Sequence, residues 1–246
     1  MKISEAIALV TGANGGIGQA LVRELLERGA HKVYAAARNP ETLAKLSESN
    51  PDRVVVIKLD VTDVASVEAA AKLAPDVNLL INNAGFSGDS GALASADVSN
   101  AKQEMDVNYF GPLNVSRGFA SVLKDNNGGA LVNVLSFLSL VALPLMGTYS
   151  ASKAAALSLT HSLRAELKSQ GTTVTAAMPV QVDTAMGAWT NQEKVTPKEA
   201  ASDIVDAIEE GADEVFPGEL SRGAAGAFIA DPKGLQAQLA TVLPTA

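Results

Sequence analysis

Near the N-terminus stands Thr11-Gly12-Ala13-Asn14-Gly15-Gly16-Ile17-Gly18, between the apolar run Ile7–Val10 and a segment of helical periodicity. Glycine lets a backbone turn tightly and approach a ligand closely. The free amides and positive dipole end of the following helix would face that ligand. The stretch therefore predicts a loop that binds a dinucleotide pyrophosphate through Gly12, Asn14, Gly15, Gly16, Ile17 and Gly18. The alternative is an ordinary strand–helix turn, since the glycine spacing differs from the common dinucleotide fingerprint.

Short apolar runs alternate with helical patterns along the rest of the chain. Helical periodicity is clearest at Val64–Leu73, Ala101–Leu123 and Ser150–Gln170. The predicted strands after the first are Val33–Ala37, Val54–Leu59, Leu79–Ile81, Ala130–Leu135 and Thr173–Ala177. Strands that are apolar on both faces and separated by helices indicate an α/β fold with a mainly parallel sheet covered on both sides.

The composition narrows the function classes. A net charge of −8 over 246 residues argues against nucleic acid and anionic membranes as partners. The chain has no cysteine, two histidines and no acidic cluster of metal-ligand spacing, so we expect no metal site. No apolar run approaches the length of a membrane span or a leader peptide, which predicts a cytoplasmic location.

The end of the second predicted strand reads Ala36-Ala37-Arg38-Asn39. At this distance from the glycine-rich loop, a carboxylate would bind the ribose hydroxyls of NAD, whereas an arginine would accept the 2′-phosphate of NADP. Arg38 can form a bidentate, charge-assisted contact with phosphate. We therefore expect NADP(H) to be preferred over NAD(H); the alternative is a solvated surface arginine.

Tyr149 and Lys153 are four residues apart in a predicted helix and so share one helical face. A lysine ammonium beside a phenol lowers the phenol pKa toward the range useful for proton transfer. Ser136 follows the fifth strand, where a hydroxyl can donate a hydrogen bond to a carbonyl oxygen. Two alternatives stand: a chance tyrosine–lysine spacing on an amphipathic helix, and Ser139 in place of Ser136.

Taken together, these motifs resemble the short-chain dehydrogenase/reductase family in its compact form. The match covers roughly residues 5–185 and includes TGANGGIG at 11–18, Asn82-Asn83-Ala84-Gly85, Asn108, Ser136 and the Tyr149–Lys153 pair. The resemblance implies a single-domain, Rossmann-like, doubly wound, mainly parallel seven-stranded sheet with helices on both faces. Within that one domain, 1–246, it implies a substrate loop at about 180–197 and a C-terminal segment, 211–246, that completes the sheet edge and the pocket.

The family resemblance also implies residue roles. Tyr149 would be the general acid of reduction and the base of oxidation, Lys153 would lower the tyrosine pKa and hold the nicotinamide ribose, Ser136 would orient the carbonyl and Asn108 would position a water. The further cofactor contacts implied are Asp60, Val61, Asn83, Ala84, Gly85, Pro179, Val182 and Thr184. Val180 stands where the family usually has glycine, so the nicotinamide or the loop after it is expected to shift.

The segments expected around the substrate are apolar. They carry Phe86, Leu138, Val141, Leu143, Leu145, Met146, Met186 and Trp189. Apolar pockets with few polar groups suit neutral ligands, so the sequence predicts NADPH-dependent reduction of a neutral ketone or aldehyde, reversible as alcohol oxidation. The alternative functions are a non-catalytic NADP(H)-binding regulator and a reductase of C=C or C=N bonds. The alternative for the apolar side chains is that several of them belong to the ordinary core.

Family resemblance further implies a homodimer or homotetramer built through the helices at Ala101–Leu123 and Ser150–Gln170. Ala151, Ala154 and Ala155 would allow close approach of a second helix. The alternative is that these alanines pack inside the chain, on its own sheet.

Overall fold

The computed structural model describes residues 1–88, 91–188 and 190–244. Its centre is a seven-stranded sheet of order β3-β2-β1-β4-β5-β6-β7. Every neighbouring pair is parallel. The strands are β1 (Ile7–Thr11), β2 (Lys32–Ala37), β3 (Val54–Lys58), β4 (Leu79–Asn82), β5 (Gly129–Val134), β6 (Thr172–Ala177) and β7 (Glu214–Val215). The predicted Rossmann-like, doubly wound fold is confirmed.

Helices cover both faces of the sheet. They are α1 (Gly16–Glu27), α2 (Ala44–Glu48), α3 (Val64–Leu73), α4 (Ser99–Met105), α5 (Gly111–Asp125), α6 (Gly147–Leu167), α7 (Pro197–Glu210), α8 (Glu219–Ala230) and α9 (Pro232–Leu239). None of the helices that the structure describes is long and apolar enough to cross a membrane.

Successive strand residues point to opposite faces and build two separate cores. On β1, Ala8 and Val10 join the core under α1 and α7, whereas Leu9 joins the core under α3, α5 and α6. The strands β4 and β5 divide in the same way, with Leu80 and Leu131 on the side of Leu9. This two-sided burial explains why the strands are almost continuously apolar.

The segment predicted as one helix, 101–123, is divided into three parts. A π-helical turn, Asp106–Phe110, separates α4 from α5. In a regular α-helix the Asn108 carbonyl would accept a hydrogen bond from the amide of residue 112, but Pro112 has no N–H. The missing donor, which periodicity does not reveal, gives the physical reason for the wider turn around Asn108.

The order of the strands reverses between β1 and β4, which are neighbours although β2 and β3 lie between them in the chain. In a doubly wound sheet, ligands bind at this switch point, in the crevice beyond the carboxyl ends of the strands. The glycine-rich loop after β1, the segment after β4 and Ser136 after β5 all lie at that end.

Candidate active site

Glycine is required at two positions of the loop between β1 and α1. Gly12 has a φ of +61°, and a Cβ built on it would lie 2.8 Å from the Cα atom of Ala84. A Cβ on Gly18 would overlap the carbonyl oxygen of Gly12 and lie 2.8 Å from Asn83 Nδ2. The loop therefore packs backbone against backbone, and its exposed residues Asn14, Gly15 and Gly16 form an open cradle at the start of α1.

Hydrogen bonds join this loop to the segment after β4. The hydroxyl of Thr11 accepts from the backbone N–H groups of Asn83 and Ala84, at 2.9 and 3.0 Å. The Asn83 side chain donates to the carbonyl oxygens of Thr11 and Gly12, at 2.9 and 3.1 Å. Asn83 thus holds the ends of two neighbouring strands at the switch point.

A cavity of about 440 Å³ opens along this loop. Its lining includes most of the residues predicted from the sequence to bind the cofactor: Gly12, Asn14, Gly15, Gly16, Ile17, Gly18, Arg38, Asp60, Val61, Asn83, Ala84, Gly85, Tyr149, Lys153 and Thr184. Pro179 and Val182 instead line an adjoining second cavity. Thr184 lines both, and its Cγ2 atom lies 2.6 Å from where a Cβ on Gly16 would be, so the loop after β6 touches the glycine-rich loop.

Arg38 is exposed at one end of this first cavity and lies near Asp60. Burial, the largest influence, acts to raise the pKa of Asp60. Hydrogen bonds from the Thr62 N–H and hydroxyl, together with the charge of Arg38, nevertheless hold that pKa below its usual value. Both hydrogen bonds from Thr62 go to one carboxylate oxygen of Asp60, and the exposed Arg38 lines the cavity where its guanidinium can contact a bound anion.

Tyr149 and Lys153 lie on one face of α6, and both are buried, with exposed fractions of 8% and 4%. The Lys153 ammonium lies 5.7 Å from the centre of the Tyr149 ring. It donates a hydrogen bond of 3.1 Å to the Val134 carbonyl at the end of β5. Burial lowers the pKa of Lys153 to about 8. Tyr149 lines both cavities, so its side chain marks where they meet.

The structure separates the two candidate serines. Ser136 lines the second cavity next to Tyr149, and its hydroxyl accepts a hydrogen bond of 3.2 Å from the N–H of Leu138. Ser139 is buried away from both linings, and its hydroxyl has no hydrogen-bond partner within the described ranges. A serine at 136 can therefore reach a ligand beside Tyr149, which the placement of Ser139 does not allow.

Asn108 is buried behind the first cavity. Its amide accepts from the Phe86 N–H at 2.9 Å and donates to the Phe86 carbonyl at 2.8 Å and to the Ser152 hydroxyl at 2.9 Å. Both amide hydrogens are used within the protein. Its backbone carbonyl lacks the usual α-helical donor because of Pro112, so this carbonyl is an acceptor that a water can use.

The comparisons with known proteins agree with this geometry. The family model described as short chain dehydrogenase matches residues 6–195. The chain belongs to the short-chain dehydrogenase/reductase family. It is therefore an oxidoreductase of a family that uses a dinucleotide cofactor.

Three relatives place this dehydrogenase within the family. An uncharacterized oxidoreductase of Staphylococcus aureus (strain USA300) is 32% identical over 214 residues, covering 84% of this chain and 92% of that protein. A crystal structure of a short chain dehydrogenase from Burkholderia cenocepacia J2315 in complex with NADP is 45% identical, with a TM-score of 0.91, and covers 97% and 99% of the two chains. The NADPH-bound carbonyl reductase from chicken fatty liver is 26% identical, with a TM-score of 0.78 and coverage of 86% and 96%.

The second cavity of the dehydrogenase, about 610 Å³, adjoins Ser136 and Tyr149. Of the residues expected around the substrate, Leu138, Leu143, Met146 and Met186 line it, whereas Val141 is buried and absent from the described lining of either cavity. Phe86 lines the first cavity instead, and Trp189 lies outside the described residues. Leu145 is not among the described residues of either lining, and it packs against the cluster of Leu143, Met146 and Tyr149.

Val180 takes the place of the usual glycine without backbone strain. Its φ is not among the positive values, so the backbone conformation is open to any residue. Its N–H donates to the Ser221 hydroxyl at 3.0 Å, and its side chain packs with Val182 and Val195 at the edge of the second cavity. Val180 therefore adds an apolar side chain to the lining of the second cavity without backbone strain, and the shift of the nicotinamide or of the loop stays a prediction.

Two residues that support the site, Glu104 and Asn100, were not predicted from the sequence. Glu104 is fully buried and accepts a 2.9 Å hydrogen bond from the Gly88 N–H, while Asn100 donates to the Gly88 carbonyl at 3.3 Å. With Asn108, these side chains recur every four residues along one helical face and hold the segment 86–88 by its backbone. The spacing of three polar residues is visible in the sequence, but the segment that they bind is not.

Proposed function

We propose that the dehydrogenase catalyses the NADPH-dependent reduction of a neutral ketone or aldehyde to the alcohol, and the reverse oxidation. The observation that carries this proposal is the position of Tyr149. Its side chain lies between a cavity built on the glycine-rich loop and an apolar cavity that contains Ser136, with a buried lysine ammonium beside its ring.

The first cavity suits a nicotinamide dinucleotide. Its glycine cradle, in which a Cβ on Gly12 or Gly18 has no room, exposes backbone at the start of α1 to a pyrophosphate. The guanidinium of Arg38, at the far end, supports a preference for NADP(H) through a contact with the 2′-phosphate. When bound, the reduced nicotinamide supplies the hydride for a carbonyl carbon.

The residues around Tyr149 supply the proton. The phenol protonates the oxygen of the carbonyl as negative charge develops, and Ser136 donates a hydrogen bond to the same oxygen. With a pKa of about 8, Lys153 is mainly cationic at neutral pH, and a cation beside the ring favours the phenolate that proton transfer leaves. Asn108 holds the segment 86–88 and, through its backbone, a water that can return a proton.

The second cavity supports a neutral, apolar substrate. Leu138, Leu143, Met146 and Val182 contribute to its wall. Among the described residues that line it there is no lysine or arginine, and the acidic Glu193 is the charged one. A keto acid would therefore find no cation to bind its carboxylate, whereas a neutral ketone would bury its substituents against apolar side chains.

A substrate screen that follows NADPH absorbance tests this proposal. The panel pairs neutral ketones with keto acids of similar size, and conjugated alkenes and imines are included. We expect turnover of the neutral ketones, a preference for NADPH over NADH, and loss of turnover in Tyr149→Phe with cofactor binding retained. Tight NADPH binding without turnover of any substrate would favour a regulatory protein, and turnover of alkenes or imines alone would favour the other reductase class.

We also propose a homodimer or homotetramer, in the cytoplasm. In the single chain, Ala151 and Ala154 of α6 are exposed rather than packed on the sheet, and Phe110, in the π-helical turn that contacts α6, is 45% exposed. These residues support an interface through α4, α5 and α6. Sedimentation of the wild type and of Ala151→Arg would test it, with dissociation to a monomer expected for the variant.

A further inference from the structure

The far side of the second cavity is formed by the end of the chain. We define the C-terminal wall as Leu235, Gln238, Leu239, Thr241 and Val242, which come from α9 and the residues after it and line this cavity. The wall lies beyond residue 195, where the match to the family model ends. The resemblance implies that the segment 211–246 completes the pocket, but it gives no role to individual residues of the wall.

Gln236 fastens α9 to the segment that precedes α6. Its side-chain oxygen accepts from the Ala142 N–H and its amide nitrogen donates to the Ala142 carbonyl, both at 2.8 Å. These two residues are 94 positions apart in the chain. A side-chain amide that satisfies both backbone groups of one residue fixes the orientation of the helix as well as its position.

Two more contacts follow toward the end of the chain. The Leu145 N–H donates to the Val242 carbonyl at 3.2 Å. Pro244 packs beside Gly91, where a Cβ would lie 2.8 Å from the proline Cγ. The wall is thus held against residues 142–145 by Gln236 on α9 and by the Val242 carbonyl, and Pro244 packs beside Gly91 just after it.

The segment that receives the wall is itself tied to the catalytic helix. The Leu143 N–H donates to the Ser150 hydroxyl at 3.3 Å, and that hydroxyl donates to the Met146 carbonyl at 2.9 Å. Ser150 is the neighbour of Tyr149 on α6. The distance between the wall and the Tyr149 side chain is therefore set by one continuous chain of contacts.

We propose that Gln236 is a positioning residue that holds the C-terminal wall against the larger substituent of the substrate. Leu235, Leu239 and Val242 make this end of the cavity apolar, so the substituent it takes is a bulky hydrocarbon or aryl group. A small ketone reacts at Ser136 and Tyr149 without reaching the wall. This inference rests on the proposed function, because it concerns the second substituent of the same ketone.

The experiment compares butanone with 1-phenylpentan-1-one in the wild type and in Gln236→Met, which keeps the length of the side chain and removes both hydrogen bonds. The ratio of kcat/KM for the bulky over the small ketone should fall by about 10-fold or more, the discrimination expected for a change in apolar contacts. The loss should be mainly in KM. Leu239→Trp, which fills the wall side of the cavity, should lower the same ratio, whereas the exposed Lys233→Ala on α9 should not.

Hydrogen exchange gives a readout independent of turnover. The Ala142 amide should exchange faster in Gln236→Met than in Lys233→Ala, because its acceptor is gone. An unchanged ratio in Gln236→Met, an equal loss on both ketones, or unchanged exchange at Ala142 would overturn the inference, and an unchanged ratio in Leu239→Trp would remove the wall from the substrate site. A wild type that reduces neither ketone would overturn the proposed function first, and the substrate class of this inference with it.

Discussion

Replacing Lys153 by methionine removes a buried charge from the centre of the site. Lys153 is 4% exposed, and its one hydrogen bond among the described residues is to the Val134 carbonyl. Burial disfavours the charged form and lowers the pKa from 10.5 to about 8. At 1.36 kcal/mol per pH unit, holding the ammonium in place at neutral pH costs the folded state about 3 kcal/mol.

The methionine variant should therefore be more stable than the wild type at pH 7. Loss of the hydrogen bond to Val134 costs about 1 kcal/mol. The expected gain in the free energy of unfolding is then about 2 kcal/mol, or a Tm higher by about 4–8 °C for a chain of this size. Turnover should be lost, because the cation beside Tyr149 is gone.

The pH dependence identifies the cause. Below pH 8 the lysine is protonated in both the folded and the unfolded states, so the wild type carries the full cost of the buried charge. Between pH 8 and 10.5 the unfolded chain binds more protons than the folded one, and the stability of the wild type rises with pH. The gain of Lys153→Met over the wild type should therefore shrink by about 2 kcal/mol between pH 7 and pH 10.

Urea unfolding at several pH values, without added nucleotide, measures this difference. Lys124→Met is the matched control, since Lys124 is exposed on α5, and its difference from the wild type should stay flat with pH. A variant at Lys153 that is less stable than the wild type at pH 7, or whose difference from it does not change with pH, would refute the reasoning.

Three further predictions concern other parts of the site. Arg38→Glu should lower the ratio of kcat/KM with NADPH to that with NADH by about 10- to 100-fold, the worth of a charged hydrogen bond, and an unchanged ratio would remove Arg38 from the cofactor site. Glu104→Ala should reduce the free energy of unfolding by about 1–3 kcal/mol because the Gly88 N–H loses its acceptor. Glu104→Gln keeps an acceptor and should cost less. Equal losses for the two variants in urea unfolding would count against the hydrogen bond. Gly18→Ala should lower the free energy of unfolding by about 1–3 kcal/mol and weaken NADPH binding in a titration. Gly223→Ala, where the added Cβ meets open space, should instead stabilise α8. Similar effects of the two substitutions would contradict the packing argument.

The fold class and most of the first cavity can be predicted from the pattern of residues along the chain. Alternating apolar strands and amphipathic helices specify a doubly wound sheet because burial on two faces needs those periods. The glycines at 12–18 and the residues after β2, β3 and β4 follow strands directly, and the carboxyl ends of parallel strands meet in one crevice. Tyr149 and Lys153 share a face because helical geometry is local.

Features that depend on contacts between distant segments could not be predicted from the sequence. The periodicity around 101–123 does not reveal the π-helical turn, and spacing favours Ser136 over Ser139 without showing that one hydroxyl lines a cavity and the other is enclosed. Leu143 and Leu145 are indistinguishable in sequence, yet Leu143 lines the second cavity and Leu145 is absent from the described lining of both cavities. Gln236 bonds to Ala142, which is 94 residues away in the chain. This pairing is set by how α9 packs, because the periodicity of a segment carries no information about its distant partners.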